Sequence, residues 1–192
     1  MGGNRYQGKR VQRRQGGFWK DYGFLLVTVV TVFVLFRVVL QLAWVPSGSM
    51  EQTIPTESLL ISMRLPYLVS DPEPERGDVV TFWSDELGKL LVKRVIGLPG
   101  DEVSFSGGYV YINQEKLTES YLTQQGQTRS RNNEVFCVPE GCYFMMGDNR
   151  AGSDDSRFWE EPYIEGEALR AKVMLIVSPK KDSSWRGIRA VS

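Results

Sequence analysis

The sequence contains no histidine among its 192 residues. That absence excludes a Ser-His-Asp triad, Cys-His catalysis and any zinc site built on imidazole, so any hydrolytic chemistry must find another base. Cysteine is nearly as scarce. Cys137 and Cys142 stand alone, too few for a tetrahedral Cys-rich metal centre, and no metal or other cofactor is expected. The spacer VPEG between them suits a hairpin turn, with the pair either bridged across it or left as two thiols. A long basic stripe is also lacking. Lys plus Arg equals Asp plus Glu at 23 each, but the distribution is uneven. Arg5, Lys9, Arg10, Arg13, Arg14 and Lys20 precede Tyr22 with only Asp21 against them, whereas from Val38 onward 16 basic residues face 22 acidic ones. The part long enough to fold is acidic, so nucleic acid is not an expected partner.

What is present begins with an apolar run. Tyr22 to Phe36, YGFLLVTVVTVFVLF, carries no charge, and after Arg37 the apolar character resumes as VVLQLAWV. As one helix from Tyr22 to Val45 the segment would be ~36 Å long against a hydrocarbon core of ~30 Å. A cleavable leader is disfavoured because Trp44 and Pro46 crowd the residues after Ala43. A core helix is disfavoured because the run is apolar all round. A transmembrane anchor over 22–45 is the expectation, with a basic tail over 1–21 in the cytoplasm and a domain over 46–192 on the opposite side, by the positive-inside rule. Membrane lipid is then a partner, and Trp44 falls at the interface.

Beyond the anchor, short β-rich stretches alternate with turn signals: LLISM (59–63), DVVTFW (78–83), KLLVKRVI (89–96), VSF (103–105), YVYIN (109–113), VFCV (135–138), CYFMM (142–146) and KVMLIV (172–177). Between them lie DPEPERG, LPGD, SGG, VPEG and GDNRAG. The spacing predicts a mainly antiparallel β domain. Residues 123–133 read as an exposed polar loop, and 154–170 as a place for a short helix or two.

A serine nucleophile without histidine needs a carboxylate or a neutral lysine as base. Burial supplies the latter, because removing an ammonium from water depresses its pKa. Lys93 lies in LLVKRVIGLPGD, a β-branched run in which alternation puts Leu91, Lys93 and Val95 on one face and Val92, Arg94 and Ile96 on the other. One of two adjacent basic residues must face inward, unless the strand is an edge with both solvated.

Four motifs in order, PSGSMEQTI (46–54), RGDVVTF (76–82), LVKRVIGLPGD (91–101) and MGDNRAGSDDSRFW (146–159), resemble those of bacterial type I signal peptidases. The resemblance implies an antiparallel β catalytic domain of the kind shared with repressor-type Ser-Lys proteases, preceded by one transmembrane helix. It implies a membrane-anchored serine endopeptidase that removes signal peptides from exported preproteins after small residues. Ser49 matches the nucleophile and Lys93 the general base. Ser47 matches the hydroxyl that assists the oxyanion hole beside the Ser49 N–H. Ser153 matches the serine that orients the lysine, and Asp155 and Arg157 a supporting polar pair. Val45, Pro46, Met50, Ile54, Leu91 and Val92 are placed to wall the shallow substrate pockets.

Two departures from the family pattern are evident. Gln52 stands where proline is usual, and Ala151-Gly152 stand where Asp-Asn is usual; the second should loosen the loop that carries Ser153. Two other functions compete. A self-cleaving repressor-type protease would carry a DNA-binding segment where the anchor stands. An inactive membrane-tethered binding or assembly protein on the same fold would have no need of both Ser49 and Lys93.

Overall fold

The computed structural model describes residues 17–65, 67, 73–131, 134–178 and 187–191; the expected basic tail up to residue 16 lies outside them. The chain divides into two compact units, 1–35 and 36–192. The first holds most of α1, Phe18–Val38, whose described side chains are exposed on every face, Phe24 at 86% and Phe33 at 62%.

The helix is shorter than the apolar run led us to expect. It ends at Val38, and Leu40–Trp44 forms β1 instead, pairing antiparallel with β2, Leu59–Met63. The ladder explains the change. Trp44↔Leu59 through Leu40↔Met63 are in register, and Arg64 N–H donates to Val39 O at 2.8 Å, so this backbone is satisfied by a neighbouring strand rather than by a further helical turn. A single helix over 22–45 is therefore corrected. Among the described residues no helix is long and apolar enough to cross a membrane. The uncharged run Tyr22–Phe36 rises only ~22 Å, and Arg37 occupies the last turn.

The second unit is built from two antiparallel sheets. The larger has the order β1-β2-β11-β3-β4-β9-β10, with β12 also on β11. Its remaining strands are β3 Val79–Ser84, β4 Lys89–Gly97, β9 Cys142–Met146, β10 Tyr163–Glu165, β11 Leu169–Ser178 and β12 Gly187–Ala190. The smaller has the order β7-β6-β5-β8, from β5 Glu102–Ser106, β6 Tyr109–Ile112, β7 Glu115–Lys116 and β8 Phe136–Cys137. The mainly antiparallel expectation holds, and each of the eight predicted stretches contains a strand.

Of the short helices expected within 154–170 only a 3₁₀ helix at Gly166–Ala168 forms, and β10 and the start of β11 flank it. Ile164 and Leu169 are buried there against Val80, Phe82 and Trp159, and Ile164 pairs with Tyr143 of β9. Neighbouring strands settled a stretch whose own pattern is ambiguous.

Gly97 ends β4 where the sheets meet. A Cβ there would fall 2.8 Å from Val103 Cγ2 and 2.9 Å from Phe144 Cβ, so only glycine permits this approach. Cys137 and Cys142 are both free thiols.

Candidate active site

Ser47, Gly48 and Ser49 follow β1 after Val45 and Pro46. Ser47 is extended, at φ −119° and ψ 152°, and leads into a 3₁₀ turn at Gly48–Met50. Met50 fixes that turn from below: its side chain is fully buried with Val45, Ile54, Leu60, Val79, Val173 and Ile176. Ile54 N–H donates back to Met50 O at 2.6 Å. Ser49 remains half-exposed and Ser47 exposed. The leading N–H groups of such a turn have no partner within it and point outward, where they can donate to a developing negative charge.

Lys93 sits in β4 opposite Val80, and Arg94 opposite Val79 and Met146. The strand alternation is as read, but both basic residues are buried, at 2% and 1% exposure. Each finds partners on one loop, the segment that follows β9. Lys93 Nζ is 2.8 Å from Ser153 Oγ. Arg94 donates from Nε to Asp148 Oδ1 at 2.9 Å and from Nη2 to Oδ2 at 2.8 Å, a bidentate pair. Burial lowers the Lys93 pKa to about 8, against an opposing pull from Asp155 and then Asp154. Lys93 therefore reaches its neutral, basic form far more readily than a solvated lysine.

The same loop reaches the Ser49 turn. Asn149 N–H donates to Ser49 O at 3.0 Å and its side-chain amide to Gly48 O at 3.0 Å. Gly147 stands at the convergence. A side chain there would begin inside van der Waals contact of Ser153 Oγ and Cβ and of Ser49 O, so the absence of a Cβ lets the Ser49 and Ser153 segments meet. Asp155 is fully buried and accepts from Gly147 N–H at 2.9 Å, from Arg157 Nε at 2.7 Å and from Arg157 Nη2 at 2.8 Å. Burial would raise its pKa, but the hydrogen bonds and charge of Arg157 prevail and hold the carboxyl below its usual range.

Both departures from the family pattern have a structural place. Gly152 N–H donates to Asn149 O at 3.0 Å and Oδ1 at 3.2 Å, and a Cβ at Gly152 would fall 2.8 Å from Asn149 Nδ2. The loop is tied rather than loosened, and its glycine leaves room for Asn149. Gln52 Oε1 accepts from Thr123 N–H at 2.9 Å and from Thr123 Oγ1 at 3.2 Å.

A cavity of about 120 Å³ lies beside Ser47. Val45, Pro46, Leu91 and Val92 line it together with Trp44, Leu60, Thr81 and Leu90, which sequence reasoning did not single out. Met50 and Ile54 are not among its walls. They belong to the core beneath the turn, where their zero exposure removes them from any substrate.

Sequence reasoning also gave no catalytic-site role to Arg94, Gly147, Asp148, Asn149 or Arg150, although the MGDNR string that contains four of them was visible. Glu119 and Tyr121 carried no signal. No group of acidic or cysteine side chains among the described residues is arranged to hold a metal ion.

A family model described as signal peptidase, peptidase S26, matches residues 19–178. A probable signal peptidase I-2 of Synechocystis is 35% identical over 153 aligned positions, covering 73% of this chain and 66% of that protein. Signal peptidase I of Pseudomonas aeruginosa is 31% identical, over 78% of this chain and 66% of its own length. That of Rickettsia canadensis is 29% identical, over 87% and 81%. The chain thus spans about two thirds of the length of two of these relatives. A crystal structure of a signal peptidase I from Enterococcus faecalis, 35% identical, covers 54% of this chain and 98% of that one, with a TM-score of 0.45.

Proposed function

The chain belongs to the signal peptidase family, peptidase S26, and from that premise we propose that it is a serine endopeptidase that cleaves N-terminal signal peptides from exported preproteins, using Ser49 as nucleophile and Lys93 as base. The observation that carries the reading is a buried lysine with a lowered pKa, hydrogen-bonded to Ser153 on the loop that also grips the backbone of Ser49.

Neutral Lys93 takes the Ser49 Oγ proton as Oγ attacks the scissile carbonyl. The oxyanion is stabilised by the Ser49 N–H and the Ser47 hydroxyl. The lysine gives its proton to the leaving amine, then activates the water that hydrolyses the acyl-enzyme. Ser153 orients the amine through its hydrogen bond, and the Asp155–Arg157 pair keeps the Ser153 loop in place.

A small, mostly apolar cavity beside Ser47 suits the small side chains that precede a signal-peptide cut. Among the described residues β1 ends the larger sheet, and its outer edge offers an extended peptide a strand to pair with.

The enzyme is anchored in the bacterial cytoplasmic membrane by one pass, N-terminus inside and catalytic domain outside. Supporting this are the basic residues before Tyr22 and the exposed apolar side chains around α1.

Cleavage of a purified preprotein by wild type, Ser49→Ala and Lys93→Met tests the dyad. Both variants should lose activity by about a thousandfold or more. Equal cleavage by wild type and Ser49→Ala would sink the assignment, and none by wild type would favour a binding protein on this fold. With wild type, kcat/KM should rise with pH through about 8 as Lys93 loses its proton. A profile flat from pH 6 to 10 would contradict a lysine base.

A further inference from the structure

Five consecutive residues, Glu119 to Thr123, touch three segments far apart in sequence. Glu119 is buried at 6% exposure and faces Arg150 at 2%. Arg150 Nη1 donates to Glu119 Oε2 at 3.0 Å, and Nη2 donates to Oε1. Arg150 Nε holds Gly147 O at 3.1 Å, and Arg150 O accepts from Arg157 Nη1 at 3.0 Å. Tyr121 donates its hydroxyl to Glu119 Oε1 at 2.7 Å, and its ring lies 3.8 Å from the Arg94 guanidinium carbon. Thr123 binds Gln52, three residues past Ser49.

From this connectivity we propose that Glu119–Thr123 is a strap that sets the mutual position of the Ser49 turn, the Lys93 strand and the Ser153 loop, with Glu119 as its positioning residue. The inference rests on the peptidase reading for its functional consequence, but its geometry does not.

Arg150 is the element through which the strap acts. A buried guanidinium needs a carboxylate partner, and Glu119 supplies it in fork geometry. So held, Arg150 fixes the carbonyl of Gly147, the residue at which Ser49 O and Ser153 Oγ meet. On the other side Tyr121 covers Arg94, which fixes Asp148, and Asp148 accepts from Thr53 Oγ1 in the segment leaving the Ser49 turn. The stacked ring adds a cation–π attraction in a desolvated place. Burial and then the Glu119 charge push the Tyr121 phenol above its ordinary pKa, so it stays a donor wherever the enzyme works.

Gln52 completes the strap. A proline there would have no side-chain acceptor for Thr123, so this residue and the Thr123 contact belong together. A merely structural tie would lower stability and leave turnover by the folded molecules unchanged. A positioning tie should change turnover itself, because sub-ångström placement governs attack.

Glu119→Gln in the full chain separates these. It keeps size and one acceptor but leaves the Arg150 charge unmatched. At 25 °C, with folding verified by circular dichroism, kcat on a preprotein should fall about thirtyfold with KM within about threefold. The Asn149 amide, which donates to Ser49 O, should exchange with deuterium at least about tenfold faster, while the Val103 and Phe105 amides of β5 stay unchanged.

Tyr121→Phe, which keeps the ring over Arg94, should lose only about threefold in kcat. If Glu119→Gln does not fold, Gln52→Ala at the half-exposed end decides by the same two readouts, with smaller changes in the same direction. Unchanged Asn149 exchange, or kcat within twofold of wild type, overturns the strap. Should wild type itself fail to cleave while Ser49→Ala behaves identically, the peptidase reading fails, and amide exchange still decides the strap.

Discussion

Two regions of the second unit bury opposite chemistries. Around β5, β6 and β8 the interior is Val103, Phe105, Val110, Ile112, Phe136 and Phe144, with Phe136 and Phe144 ring centroids 4.8 Å apart. Beside β4 and the loop after β9 the interior is Lys93, Arg94, Glu119, Asp148, Arg150, Asp155 and Arg157, none more than 6% exposed. The first region exchanges water for apolar contact and gains stability roughly in proportion to the area removed. The second takes charges out of water, which costs several kcal/mol per ion before pairing returns it, so buried ion pairs are weak evidence for stability. What they supply is direction. A bidentate Arg–carboxylate pair has one good geometry, whereas a phenylalanine accepts many neighbours of the right volume. Apolar packing thus holds one region, and directional ion pairs order the side chains of the other.

Three substitutions would break or sharpen that contrast, taken from the largest expected effect. Phe136→Ala truncates a ring packed at 48° against that of Phe144 and should cost about 3–5 kcal/mol in urea unfolding. Cleavage per folded molecule should stay within about twofold, since that ring packs in the apolar cluster around β5, β6 and β8; a large fall in kcat at full folding would show that the apolar cluster also aims the site. Gly147→Ala is the converse. Its Cβ must displace Ser153 or the Ser49 carbonyl, and kcat should drop about a hundredfold or more, equivalent to ~3 kcal/mol, with little change in the far-ultraviolet spectrum. Retention of kcat would show that the two serine segments need not meet there.

The smallest effect is a pH dependence of stability. Below about pH 8 Lys93 is protonated in both folded and unfolded chains, so the cost of burying its charge is constant. Between about 8 and the ordinary lysine value of 10.5, the unfolded chain holds the proton and the folded one has released it, so stability rises with pH. Relative to Lys93→Met, wild type should gain about 1–2 kcal/mol in unfolding free energy from pH 8 to 9.5. Parallel curves for the two proteins would mean that Lys93 keeps its proton when folded.

Much of the β architecture was legible because turn signals and β-branched runs are local properties. LLISM, KLLVKRVI and CYFMM became β2, β4 and β9 with boundaries within a residue of those read. β1 was hidden, since LQLAW continues an apolar helix pattern and only the chance to pair with β2 reveals a strand. The stretch 154–170 misled for a related reason: β10 has three residues and depends on β9 for its pairing. Met50 and Ile54 look the same in sequence as Pro46 and Leu91. Whether an apolar side chain walls a cavity or lies beneath it depends on which way a turn faces.

The candidate site divides along the same line. The missing histidine, the two serines of PSGSM and a lysine set in an apolar strand are facts of composition and alternation that raised Lys93 as a candidate base, and the resemblance carried by four ordered motifs then singled out Ser49 and Lys93. That Lys93 and Arg94 are both buried could not be read from alternation, which demands opposite faces but does not say whether either is covered. Both became buried because one loop after β9 reaches the two faces, through Ser153 to one and Asp148 to the other. Glu119 and Tyr121 left no trace in a polar stretch. Their importance depends on contacts across tens of residues, and local pattern carries no information about a partner that only the folded chain brings near.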